Sequence, residues 1–136
     1  MPSTLNPYLN FLDNTREVME FYQGVFGGKL DISTFGDNNA APDPSEANKV
    51  MHAVLEAPNG ITFMAADTPN SMEYKPSAGF AMSLSGENED ELRGYFDKLS
   101  VGGMVTMPLE KAAWGDTFGM VQDKFGVSWL VNISPS

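Results

Sequence analysis

Apolar and polar residues alternate near the start of the chain, where Leu5, Pro7, Leu9 and Phe11 are separated by Asn6, Tyr8 and Asn10. A period of two is the signature of a strand with one buried face, so a first strand is expected over residues 5–11. The period then lengthens. Val18, Phe21, Tyr22, Val25 and Phe26 lie on one face of a helix, behind Asp13, Asn14, Thr15 and Glu17, whose side chains suit a helix start. Gly27 and Gly28 stop it. A second strand is expected over residues 29–35, a polar loop over 36–48, and a hairpin of residues 49–57 and 61–66 around Pro58, Asn59 and Gly60.

After a second polar stretch, residues 67–78, the order recurs. A strand over residues 79–85 leads to a helix that begins at residues 87–90 and carries Leu92, Tyr95, Phe96 and Leu99. Gly102 and Gly103 close it before a strand at 104–109, and strands at 118–122 and 127–133 follow a loop that holds Trp114, Gly115 and Asp116. At an offset of 75 residues Leu9, Phe21, Gly27 and Gly28 fall on Leu84, Phe96, Gly102 and Gly103. At an offset of 66, Gly60, Phe63 and Met64 fall on Gly126, Trp129 and Leu130. A repeated supersecondary unit is therefore expected. The fold class is α+β, one domain over residues 1–136 made of two βαβββ modules, at about 4–67 and about 79–133, with a linker at about 68–78.

Composition narrows the chemistry. The chain has no cysteine, which excludes disulfides, thiolate nucleophiles and thiolate metal sites. Eighteen acidic against eight basic residues give a formal charge of −10, which repels nucleic acid and anionic membrane surfaces. No apolar run is long enough to cross a bilayer and the opening residues lack the order of a secretory signal, so a cytoplasmic location is expected.

Several segments together resemble a known family: YLNF at residues 8–11, EFYQGVFGG at 20–28, VMHAVLE at 50–56, GGMVTMPL at 102–109 and WGDTFGMVQDKFGVSWLVNI at 114–133. They are similar to the vicinal oxygen chelate superfamily of glyoxalases, bleomycin-resistance proteins and extradiol dioxygenases, and within it to the PhnB-like group. The resemblance implies curved mixed sheets that form a small-molecule cleft, and a homodimer. It also implies four metal-ligand positions, which by register fall around Pro7, at Met64, around Met82 and at Leu130. These side chains supply no carboxylate or imidazole, so no metal and no other cofactor is expected. The group has carried a methyltransferase label, but a nucleotide-binding glycine turn leads from strand to helix, whereas both glycine pairs here follow helices.

His52 is the one histidine. On its strand Met51, Ala53, Leu55 and Ala57 should face the core, while Val50, His52, Val54 and Glu56 should line the concave side. Glu56 lies roughly 13 Å along the strand from His52, too far to orient its imidazole. His52, Phe63, Met64, Trp114, Phe118 and Trp129 are the candidate ligand-binding residues, an aromatic and thioether set suited to flat or apolar molecules. Two readings stay open: a metal-free module that binds a small molecule, and an isomerase, lyase or dioxygenase whose metal is held by an unusual set such as His52, Glu56 and a partner chain.

Overall fold

Leu9 and Phe11 do turn inward, but the first strand, β1 (Tyr8–Phe11), is shorter than expected, because Leu5 is exposed and makes no use of the alternation. In this computed structural model, which describes residues 3, 5–39, 41, 43–75 and 78–135, the chain divides into two compact units, Met1–Pro76 and Ser77–Ser136. Residues 40, 42, 76 and 77 of the expected polar stretches lie outside the described residues.

The first unit runs β1, α1 (Thr15–Phe26), β2 (Lys29–Thr34), β3 (Val50–Glu56) and β4 (Thr62–Asp67), in the sheet order β1-β4-β3-β2. The second runs β5 (Met82–Gly86), α2 (Glu89–Ser100), β6 (Met104–Lys111), β7 (Thr117–Gln122) and β8 (Ser128–Ile133), in the order β5-β8-β7-β6. Each sheet is mixed, since its first and last strands pair parallel and its other neighbours antiparallel. This is the βαβββ module twice, in an α+β chain.

The repeat read from the sequence reappears as strand register. Tyr8 pairs with Met64 and Ser83 with Leu130; Val54 pairs with Met64 and Met120 with Leu130; Lys29 pairs with Glu56 and Met104 with Gln122. The same two offsets connect all three matches. They differ because the β2–β3 connection is long and carries a 3-10 turn at Pro44–Glu46, whereas β6 and β7 are joined by a short turn.

In each unit the helix covers one sheet face. Tyr22, Met19, Val18, Leu9, Leu55 and Phe63 are sealed in the first core, and Leu99, Val121 and Val131 in the second. Burying each of the larger of these stabilises the fold by about 1.5–3 kcal/mol. Gly28 and Gly103 let helix and sheet meet: a Cβ at either would collide with the carbonyl oxygen of Glu56 or Gln122 on the neighbouring strand.

The units fasten their helices differently. Asn14, at the N-cap of α1, makes no side-chain cap bond. The Thr15 amide instead donates to Asp67 Oδ1 at 3.0 Å, and the Val50 amide donates to Asp67 Oδ2 at 2.8 Å. Asp67 is thus a buried carboxylate at the end of β4, not the opening of a polar stretch. Lys49, almost covered, pairs with Asp13 and donates to the Thr68 carbonyl beside it. Helix α2 uses a local cap, in which the Glu91 amide donates to Asn88 Oδ1. The second unit's buried carboxylate, Asp123, accepts from the Phe125 and Val127 amides and from Trp129 Nε1, which explains the D-x-F-G run after β7.

Replacing Asp67 by alanine strands two buried amides, each costing about 1–3 kcal/mol. Asp67→Ala should therefore lower the melting temperature by roughly 10 °C in a calorimetric scan. A loss within one degree would show that water replaces the carboxylate without penalty.

Candidate functional site

The helix leaves one face of each sheet bare, and cross-strand pairing says which side chains share it. In the first unit one row on this open face is Tyr8, Met64, Val54 and Asp31. The next row includes Asn10, Ala66 and, opposite Ser33, His52. The rings of Tyr8 and His52 lie side by side, with centroids 5.9 Å apart and planes tilted by 32°. Partial burial on this face raises the Tyr8 phenol above its ordinary pKa, because the charged form loses water there. A recess of about 190 Å³ opens next to Asn10, walled by Thr68, Pro69, Met72, Glu73 and Lys75.

His52, Val54 and Glu56 share the open face as the alternation requires, and Ala53 and Leu55 are fully buried on the other. Val50 departs from it. Ser33 pairs with His52, but Thr34 pairs with Val50, so Met51 is an extra residue, and this bulge turns Val50 into the core.

In the second unit the open face carries the rows Ser83, Leu130, Met120, Met107 and Ser85, Asn132, Phe118, Glu110. Trp114, in the turn between β6 and β7, stands edge-on to Phe118 at 5.8 Å while 65% exposed. Asp116 fixes this turn by accepting from Asn132 Nδ2 at 2.9 Å.

Of the six residues chosen from the sequence, His52 and Met64 lie on the open face of the first unit, and Phe118 on that of the second with Trp114 at its edge. Phe63 and Trp129 do not join them. Each is 2% exposed on the helix side, Phe63 against Tyr22 and Phe26, Trp129 bonded to Asp123. Successive strand residues point to opposite faces, so Phe63 and Met64 never belonged to one wall. Tyr8, which the sequence reading did not single out, shares the open face with His52 and Met64. Its place in the β1 alternation, on the side opposite Leu9, was the available signal.

The positions implied for metal ligands can now be tested by register. Met64 is paired with Tyr8 rather than Pro7, and Leu130 with Ser83 rather than Met82. A phenol, a thioether, a hydroxyl and an isobutyl group do not fit a hard or borderline divalent ion. Among the described residues no cluster of three histidine or acidic side chains offers a substitute. None of the described helices is long and apolar enough to cross a membrane.

A sequence model of the family described as 3-demethylubiquinone-9 3-methyltransferase matches residues 3–132. Protein PA1353 from Pseudomonas aeruginosa is 35% identical in sequence, and its crystal structure aligns with a TM-score of 0.86 over 99% of this chain and 100% of its own. The PhnB protein from Bacillus cereus is 27% identical, with a TM-score of 0.76 over 97% and 100% of the two chains. A glyoxylase/bleomycin resistance protein/dioxygenase domain from Frankia sp. EAN1pec, 12% identical, gives a TM-score of 0.69 over 100% and 94%, a likeness of fold alone.

The two tryptophans should respond oppositely to substitution. Trp129→Phe removes a buried bond to Asp123 and should cost about 1–3 kcal/mol. Trp114→Ala should cost under about 0.5 kcal/mol, as exposed positions do. Urea titrations of both variants check this, and equal losses would contradict the burial difference.

Proposed function

The chain belongs to the family described as 3-demethylubiquinone-9 3-methyltransferase, a PhnB-like group with the vicinal oxygen chelate fold, and we propose that this member binds a small molecule on its open sheet faces without a divalent ion. The observation that carries this reading is the row of Tyr8, Met64 and Val54 beside His52, an aromatic and thioether surface that the helix leaves uncovered. Such a surface suits a flat ligand, and the imidazole and phenol give it hydrogen-bonding direction. Phe118, Met120 and Trp114 offer a second surface of the same kind. Phe63 and Trp129 are left out, because their burial serves the cores.

In neither unit do the register positions, Tyr8 and Met64 in the first and Ser83 and Leu130 in the second, supply a carboxylate or imidazole, which supports the metal-free part. Methyl transfer is not adopted from the family description. Both glycine pairs lead from helix into strand, the reverse of the turn that cradles a nucleotide-like cofactor.

His52→Ala separates a binding role from a structural one. His52 is half-buried and outside the core, so the variant should melt within about 2 °C of the parent while ligands found by thermal shift bind about ten-fold more weakly. Lost stability with unchanged affinity would overturn the role given to His52, and stoichiometric metal in protein purified without chelator would overturn the metal-free part.

The same reading includes a homodimer. Met104, Val105 and Met107 of the edge strand β6 are 63%, 43% and 45% exposed, and an apolar unpaired edge invites a partner strand. Light scattering at micromolar concentration should return twice the chain mass of 14.8 kDa. A monomer that still binds ligand would show pairing to be dispensable.

A further inference from the structure

Charge on the open face of the first unit selects among flat ligands. Its rows end at β2 and β3 in Asp31, Glu56 and Lys29. Two of these three are negative, and Lys29 leans onto Asp31 with 3.7 Å between them, so the anionic side remains in excess. Asp31 lies directly across from Val54, and Val54 across from Met64, so a ligand seated on the apolar row has a carboxylate at its edge. No arginine and no second lysine stands on the strands of this face, and at the recess beside Asn10 Glu73 and Lys75 offset each other. The Tyr8 ring, 48% exposed, presents a π face that attracts cations. The chain's formal charge of −10 adds a field of the same sign.

We propose that this face takes a planar aromatic cation, a flat ring lying over Tyr8, Met64 and Val54 with a protonated amine directed to Asp31 and Glu56. The proposal rests on the reading of this face as the ligand surface and adds the class of ligand. A polar recess of about 380 Å³ around Asp13, Ser45, Asn48 and Asn70 carries less, because the three charged groups that line it are already partnered: Lys49 with Asp13, and Asp67 with two backbone amides.

Three probes that share one ring system test it: 2-naphthylmethylammonium, the neutral 2-naphthylmethanol and 2-naphthalenesulfonate, titrated into the full chain with backbone amide shifts as the readout. The cation should bind about five-fold tighter than the alcohol at low salt, the sulfonate more weakly still, and added salt should shrink the difference. The Asp31→Asn, Glu56→Gln double variant, changed only at exposed rim positions, should fold normally and bind cation and alcohol alike. Equal or tighter binding of the sulfonate, or a cation preference that survives the double variant, would overturn the ligand class. If no probe shifts the amides of Tyr8, His52 and Met64, the ligand surface itself is misassigned and the proposal falls with it.

Discussion

The carboxylate of Asp67 holds the first unit together at the point where three elements meet. Its two oxygens serve the first amide of α1 and the first amide of β3, while its own backbone ends β4. Those amides lie on buried residues and the Asn14 side chain makes no cap bond, so the carboxylate is their hydrogen-bond partner. The start of α1 is thereby tied to β3 and β4, on the sheet face where Leu9, Leu55 and Phe63 are buried. The second unit reaches the same topology with a local asparagine cap and spends its buried carboxylate elsewhere, on the turn before β8 and the Trp129 indole.

How much of this was legible depended on the range of the interaction. The two offsets in the sequence carried straight into strand register, because glycines and large apolar residues sit where helix, sheet and hairpin geometry admit little else. Gly28 and Gly103 illustrate it, each against a strand carbonyl. Asp67 was not legible. Its partners are 52 and 17 residues away, and a local reading groups it with the polar residues that follow. The bulge at Met51 was equally hidden, since it depends on how β2 meets β3 and reverses the side of Val50 alone. Phe63 and Trp129 were misplaced for a simpler reason. Composition drew them to Met64 and Phe118, when alternation along the strand already separated them.

The open faces also show how a shared scaffold diverges. At equivalent registers Tyr8 corresponds to Ser83, Val54 to Met120 and His52 to Phe118, so one module offers a phenol and an imidazole where the other offers a hydroxyl and a phenyl ring. The framework residues that set topology lie on the covered side and are similar in kind. The exposed rows are free to differ, and they do.

Because Thr15 and Val50 both precede Asp67, the knot has a direction in time. Every group it needs has left the ribosomal tunnel once residue 67 has emerged, before any strand of the second unit has followed it out. The first module can close as an independent folding unit during synthesis, with its apolar core hidden from chaperones and from the later copy of the same motif, whose near-identical strand order would otherwise compete for its pairings.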